Sequence, residues 1–245
     1  PSVAALIGLS PSVPRSISIA PVQRTGLPCR YGRALRLNLL YNAEGNSSNI
    51  RDKGREKGMH TNAVPLHVVG ISGSIRTGSY NTGLLRAAAE MLPSGMRLEL
   101  LSLAELPLYN QDLEEQGYPP SVAVLRERIA AADALLIACP EYNYSITGVL
   151  KNAIDWASRP AGKAPLTGKP AAIIGAGGRF GTVRAQLHLR QICTHLTMPV
   201  LLSPEFMVVR AWECFDQHGN LTDLPSRERL HEVLVALEQW ARRFM

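Results

Sequence analysis

From residue 66 onward the hydrophobic period of the chain changes repeatedly. Short, nearly unbroken apolar runs alternate with longer stretches in which apolar residues recur every three or four positions. Leu66-His67-Val68-Val69-Gly70-Ile71 is the first run and predicts a strand over 66–71. A helix over 81–92 follows, with Leu84, Leu85, Ala88 and Leu92 at helical spacing. The same reading gives strands over 97–103, 134–138, 171–175 and 200–202, and helices over 121–131, 147–158, 183–196 and 226–243. Residues 134–138 contain no polar side chain, the mark of a strand covered on both faces. Five strands alternating with five helices make an α/β chain. Right-handed crossovers wind it into a doubly wound, five-stranded parallel sheet in three layers. Such sheets bind ligands beyond the carboxyl ends of their strands, where the strand order reverses, so candidate chemistry is sought in the loops after strands one, three and four.

Residues 1–58 have a different character. They show no sustained period and pass through Ser-Pro, Val-Pro and Leu-Pro steps into Asn-Ser-Ser-Asn, the pattern of a disordered basic leader. The first forty-three residues hold five arginines and no acid, a composition shared with organelle transit segments. The preferred reading is a leader foreign to the native protein, with Met59 as the natural start and one folded domain over 59–245. The leader also explains the charge. It carries nine basic and three acidic residues, and the remaining seventeen of each sign cancel, so the formal charge of +6 gives no support to nucleic-acid binding. Eighteen consecutive apolar residues occur nowhere, and Cys29, Cys139, Cys193 and Cys214 form no CxxC pair. The expectation is a reduced, cytoplasmic protein without a membrane span or a bound metal.

Each of the three loops carries unusual residues. Gly73-Ser74-Ile75-Arg76-Thr77-Gly78-Ser79-Tyr80-Asn81-Thr82 combines glycine, hydroxyls, an arginine and a helix amino terminus, the chemistry of a phosphate cradle; an ordinary helix cap by Ser79 or Asn81 is the plainer reading. No Gly-Lys-Ser or Gly-Lys-Thr closes it, which disfavours nucleoside triphosphate hydrolysis. Pro140-Glu141-Tyr142-Asn143-Tyr144-Ser145 follows the third strand, and Gly175-Ala176-Gly177-Gly178-Arg179-Phe180-Gly181 the fourth. The latter misses the G-x-G-x-x-G fingerprint, whose third glycine falls on Phe180. Cys139, without a nearby histidine in sequence, reads as a buried inert thiol.

The order Gly-Ser-x-Arg-x-x-Ser-x-Asn, then Pro-Glu-Tyr-Asn, then Leu-Lys-Asn-Ala-Ile-Asp-Trp at 150–156, closely resembles the NADPH-dependent FMN reductase family, which includes chromate and quinone reductases. The resemblance runs from about residue 66 to 202 and implies a flavodoxin-like fold with FMN as the cofactor. It implies that Ser74, Arg76, Ser79, Asn81 and Thr82, with Tyr80 among them, bind the FMN phosphate. Pro140, Glu141, Tyr142, Asn143 and Tyr144 would line the isoalloxazine and ribityl chain, and Gly177 and Gly178 would approach the pyrimidine edge. Arg179 is assigned either to the nicotinamide phosphate or to a neighbouring subunit.

The resemblance further implies an oxidoreductase that passes electrons from NADPH or NADH through FMN to quinones, chromate or azo compounds, in a ping-pong cycle at one shallow site. The cofactor carries the hard chemistry, so no catalytic acid or nucleophile is expected from the protein. The rival readings are a flavodoxin-type electron carrier without nicotinamide reactivity and a non-enzymatic protein that has kept the fold. The family also implies a homodimer or homotetramer. The helix over 147–159 is the expected contact, because Val149, Leu150, Ile154 and Trp156 offer a broad apolar face.

Overall fold

A computed structural model describes residues 64–245. Residues 1–63, including the leader and Cys29, lie outside the described residues. The elements run β1 (Leu66–Ser72), α1 (Tyr80–Glu90), β2 (Met96–Leu101), α2 (Gln111–Glu115), α3 (Pro120–Ala131), β3 (Ala134–Ala138), α4 (Gly148–Ala157), β4 (Ala171–Ala176), α5 (Val183–His195), β5 (Phe206–Val208), α6 (Ala211–Cys214) and α7 (Leu224–Ala241), closed by a 3-10 turn at Arg242–Phe244. All four strand pairings are parallel, in the order β2-β1-β3-β4-β5. The sheet therefore reverses direction of growth at β1, which pairs with β2 on one side and β3 on the other.

Alternation along the strands divides the core into two layers. Leu66 and Val68 of β1, Leu136 of β3 and Ile174 of β4 pack with Leu84 of α1 and Leu234 of α7. Val69, Ile71, Leu135 and Ile173 point the other way, against Leu125 of α3, Leu150 of α4 and Leu189 of α5. Every residue of β1, β3 and β4 is buried, which is why these strands lack a polar face. In the edge strand β2 only Met96 is buried, while Arg97 and Leu100 are exposed and the other three residues half-buried.

Three expectations change. The fifth strand lies at Phe206–Val208, not at 200–202. Val200 makes only an isolated bridge with Ala171, and Leu201 donates to the Ala171 carbonyl at 2.8 Å. The chain then leaves the ladder through Ser203-Pro204 and resumes pairing with Ile174–Ala176. Short helices α2 and α6 occupy stretches that show no period. Finally, the apolar face of α4 is consumed inside its own fold. Leu150 is 1 % exposed, Ile154 8 % and Trp156 0 %, and the Trp156 indole N–H donates to the Pro107 carbonyl at 2.8 Å. That helix has no broad apolar stripe left for a second copy. None of the described helices is long and apolar enough to cross a membrane.

Candidate functional site

The loops after β1 and β3 are locked together at the strand ends. Gly73 N–H donates to the Ala138 carbonyl at 2.9 Å, and the Thr147 hydroxyl, which caps α4 by accepting from Leu150 N–H, donates to the Gly73 carbonyl at 2.6 Å. A Cβ at Gly73 would stand 2.7 Å from the Pro140 ring, so the close approach of these loops requires glycine there.

Beyond this junction, α1 begins at Tyr80 with Ser79 as its N-cap, the Ser79 hydroxyl accepting from Thr82 N–H at 3.4 Å. The N–H groups of Tyr80 and Asn81 have no acceptor among the described residues. They point out of the helix end, where the dipole favours an anion, and Arg76 lies over the Tyr80 ring at 5.6 Å from its centre.

The other two loops are both tight hairpin turns. Tyr142 and Ser145 exchange N–H···O bonds of 3.0 Å in each direction, and Asn143 (φ 50°) and Tyr144 (φ 67°) are left-handed, as a two-residue turn of this hand requires. Gly178 and Gly181 form a second bridge, closed by Gly181 N–H donating to the Gly178 carbonyl at 3.1 Å, with Arg179 and Phe180 at the exposed tip. Glu141 ties the first turn to α5. Its carboxylate, 8 % exposed, accepts from Arg184 N–H at 3.1 Å, from Ala185 N–H at 3.3 Å and from Arg184 Nε at 2.6 Å, with Arg184 Nη2 also in contact. It neutralises the helix N-terminus and the arginine together. Arg184 in turn covers the Tyr144 ring at 3.7 Å and Phe180 at 4.8 Å, and the hydrogen bond it donates to Glu141 holds its guanidinium above its usual pKa.

Together the loops enclose a cleft of about 210 Å³ bordered by Ser74, Arg76, Ser79, Tyr80, Asn81, Pro140, Glu141, Tyr142, Ala176, Gly177, Gly178 and Trp212. Ten of the residues singled out from the sequence are thus brought to one place. Four are not. The Thr82 hydroxyl turns inward to Ser72 Oγ at 2.9 Å. Asn143, Tyr144 and Arg179 are exposed and do not border the cleft, Tyr144 lying beneath Arg184.

Two of the ten have committed side chains. The Asn81 amide, 5 % exposed, donates to the Ala176 carbonyl at 2.9 Å and accepts from Ala176 N–H at 3.1 Å, so it fastens α1 to β4. The Glu141 carboxylate belongs to α5. Sequence reasoning missed Arg184 and Trp212. Arg184 carries a weak signal, a basic residue against the helix dipole at an N-terminus, which needs an acid nearby.

A larger cavity of about 690 Å³ lies between the carboxyl-terminal halves of α4 and α5, lined by Lys151, Asp155, Arg159 and His195 among others. It is at the far end of those helices from the three loops, and although Lys151, Ile154 and Asp155 of the 150–156 motif line it, no residue of the three loops does. Cys139, fully buried, has its thiol pushed up to about 12, chiefly by burial, and is no nucleophile at neutral pH.

The family model described as NADPH-dependent FMN reductase matches residues 66–213. An NAD(P)H-dependent FMN reductase of Pseudomonas aeruginosa is 54 % identical over 179 residues, which cover 73 % of this chain and 96 % of that protein. An NAD(P)H:quinone oxidoreductase of Solanum tuberosum is 48 % identical over 182 residues, covering 72 % of this chain and 93 % of the relative. Among solved structures, the flavoenzyme NAD(P)H:(acceptor) oxidoreductase FerB from Paracoccus denitrificans superimposes with a TM-score of 0.67 at 34 % identity, over 73 % of this chain and 98 % of that one. The matched span runs through all five strands and all three loops of the cleft, and on that ground the chain belongs to the NADPH-dependent FMN reductase family.

Proposed function

We propose that this enzyme oxidises NADPH or NADH and delivers the electrons, by way of FMN held in the cleft, to small acceptors of the quinone class. The observation that carries the reading is the meeting of a helix N-terminus with two unpaired N–H groups and a glycine-floored gap between two tight turns. The residues fit FMN. The N–H groups of Tyr80 and Asn81, the hydroxyls of Ser74 and Ser79, and Arg76 would hold its phosphate, each donating to a dianion at the positive end of α1. Pro140, Tyr142, Gly177 and Gly178 would border its ring. A Cβ built on Gly178 meets nothing within 4 Å, so open space lies before that backbone.

When bound, FMN supplies a two-electron carrier that exchanges hydride with a reduced nicotinamide and an acceptor. The protein's own contribution is to hold, orient and shield. Glu141 spends its charge on α5 and Arg184 rather than on proton transfer, which keeps the rim rigid instead of reactive. Arg179, exposed at the tip of its turn and without an ion-pair partner among the described residues, is assigned to the extra phosphate of NADPH. Relatives named as reductases favour this reading over an electron carrier of the flavodoxin type. Chromate and azo compounds are further acceptors to be tested.

We assign the oligomer contact to the rim rather than to α4. Tyr144, Phe180 and Leu187 are 66 %, 54 % and 57 % exposed; the two rings pack on Arg184, and Leu187 lies three residues further along α5. A patch of that kind fits a homodimer or a pair of dimers. Sedimentation of wild type and Leu187→Glu tests the contact. The activity is tested by recording the visible spectrum of the purified protein, then adding NADPH anaerobically, then a benzoquinone, chromate or an azo dye. Bleaching of the flavin band by NADPH and its return with quinone are expected; a band untouched by both nicotinamides refutes the assignment.

A further inference from the structure

One wall of the cleft corresponds to no sequence motif. Trp212 stands in the short helix α6, directly after β5, and borders the cleft together with Ser79, Tyr80, Gly177 and Gly178. Its backbone is firmly mounted. Arg210 adopts a left-handed conformation at φ 47°, a strained choice for a residue with a side chain. That turn lets Arg210 N–H donate to the Gly178 carbonyl and Ala211 N–H to the Gly177 carbonyl, both at 2.9 Å. Gly177 N–H returns a bond to the Val208 carbonyl at 3.0 Å. Ala211 is completely buried, and the Cys214 carbonyl accepts from Thr222 and Asp223 N–H on the far side of the helix.

The ring on this mount is left in solvent. Trp212 is 57 % exposed, whereas Trp156 is fully buried and Trp240 packs edge-on against Phe244 with its N–H on the Pro199 carbonyl. Tyr142, which also borders the cleft, is 56 % exposed. Two uncovered aromatic side chains on the border of one gap supply the apolar walls that a planar ligand requires.

We propose that Trp212 is a flavin-contacting residue, the apolar wall on the Gly177–Gly178 side of the cleft, and that it contributes to affinity for the isoalloxazine ring rather than for the phosphate. The assignment rests on the FMN reading above. An indole on a backbone tied to the glycine loop gives up little freedom on making such a contact, so the contact is effective for its size.

The test is a titration of apoprotein with FMN, and separately with riboflavin, following the loss of the ligand's own fluorescence. For Trp212→Gln the dissociation constant is expected to rise on the order of tenfold for both ligands, and Trp212→Phe to stay within about twofold of wild type, the range of an aromatic contact. The visible circular dichroism of the bound flavin is expected to change in Trp212→Gln and not in Trp212→Phe. Thermal unfolding of both apoproteins checks the fold. Wild-type affinity in Trp212→Gln, or loss of FMN affinity with riboflavin unaffected, overturns the proposal and leaves the FMN reading standing. A Trp212→Gln protein with wild-type affinity and altered sedimentation assigns the indole to a second copy of the chain and likewise overturns it. Wild-type apoprotein that binds neither ligand overturns both readings.

Discussion

Asn81→Ala separates a fastening role from a ligand-binding role at the centre of the site. In the native fold the amide is nearly inaccessible and forms two bonds with Ala176, at 2.9 and 3.1 Å, in the interior between α1 and β4. Ala176 is itself 3 % exposed, so truncation leaves its N–H and C=O beside a void. Each lost bond is worth about 1 kcal/mol net, and a buried group stranded without a partner adds about 1–3 kcal/mol of desolvation penalty. The two effects overlap, and a total of about 2–4 kcal/mol is expected, a large part of the roughly 5–15 kcal/mol that holds a domain together. With a urea slope of about 2 kcal/mol/M, the unfolding midpoint of the apoprotein should fall by about 1–2 M. Circular dichroism across a urea series measures this directly. An unchanged midpoint, accompanied by a large loss of FMN affinity, would show that the amide faces the ligand and that the bond to β4 is not what Asn81 is for.

Adjacent glycines should behave in opposite ways: Gly178→Val points into open space, sparing stability while weakening FMN at least tenfold, whereas Gly177→Ala collides with the Gly181 carbonyl and should lower the melting temperature of the apoprotein. Arg179→Ala should raise KM for NADPH several-fold and leave that for NADH nearly unchanged, since only the former carries the extra phosphate; equal effects on both donors refute the assignment. The buried thiols of Cys139 and Cys193, pushed up to about 12 and about 11, should resist alkylation at pH 8 and react after unfolding, as peptide mass spectrometry can read. Because only the unfolded chain ionises them near their ordinary value of 9.0, they contribute stability below that pH which is lost as it rises toward 12, and Cys139→Ala should flatten the alkaline limb of the stability curve.

The sheet and its reading edge were legible because β1, β3 and β4 are buried on both faces and are therefore almost wholly apolar, with His67 and Ser72 of β1 the polar exceptions, both hydrogen-bonded to neighbouring side chains. The fifth strand was misplaced for a local reason. Residues 199–202 and 206–208 are both short and apolar, and choosing between them requires knowing that Ser203-Pro204 interrupts the ladder. At the site, residue type announced polar capacity but not its partner. Asn81 and Glu141 have the right groups for a ligand, yet their side chains are taken up by Ala176 and by the start of α5, partners 95 and 43 residues away. Val149, Leu150, Ile154 and Trp156 misled in the opposite sense, since periodicity shows that a helix has an apolar face and not which surface covers it. Trp212 left no trace in the pattern, because its placement depends on the left-handed turn at Arg210.

The cross-tied hairpins at 142–145 and 178–181 bear on the kinetics of loading. The first is closed by two backbone bonds and the second by one, and each is anchored to a neighbouring element, one through Glu141 and the other through Val208 and Ala211. A receptor assembled this way loses little chain freedom on occupation, so cofactor uptake should resemble rigid docking. Association should be a single fast phase whose rate rises linearly with FMN concentration, with no slow rearrangement behind it.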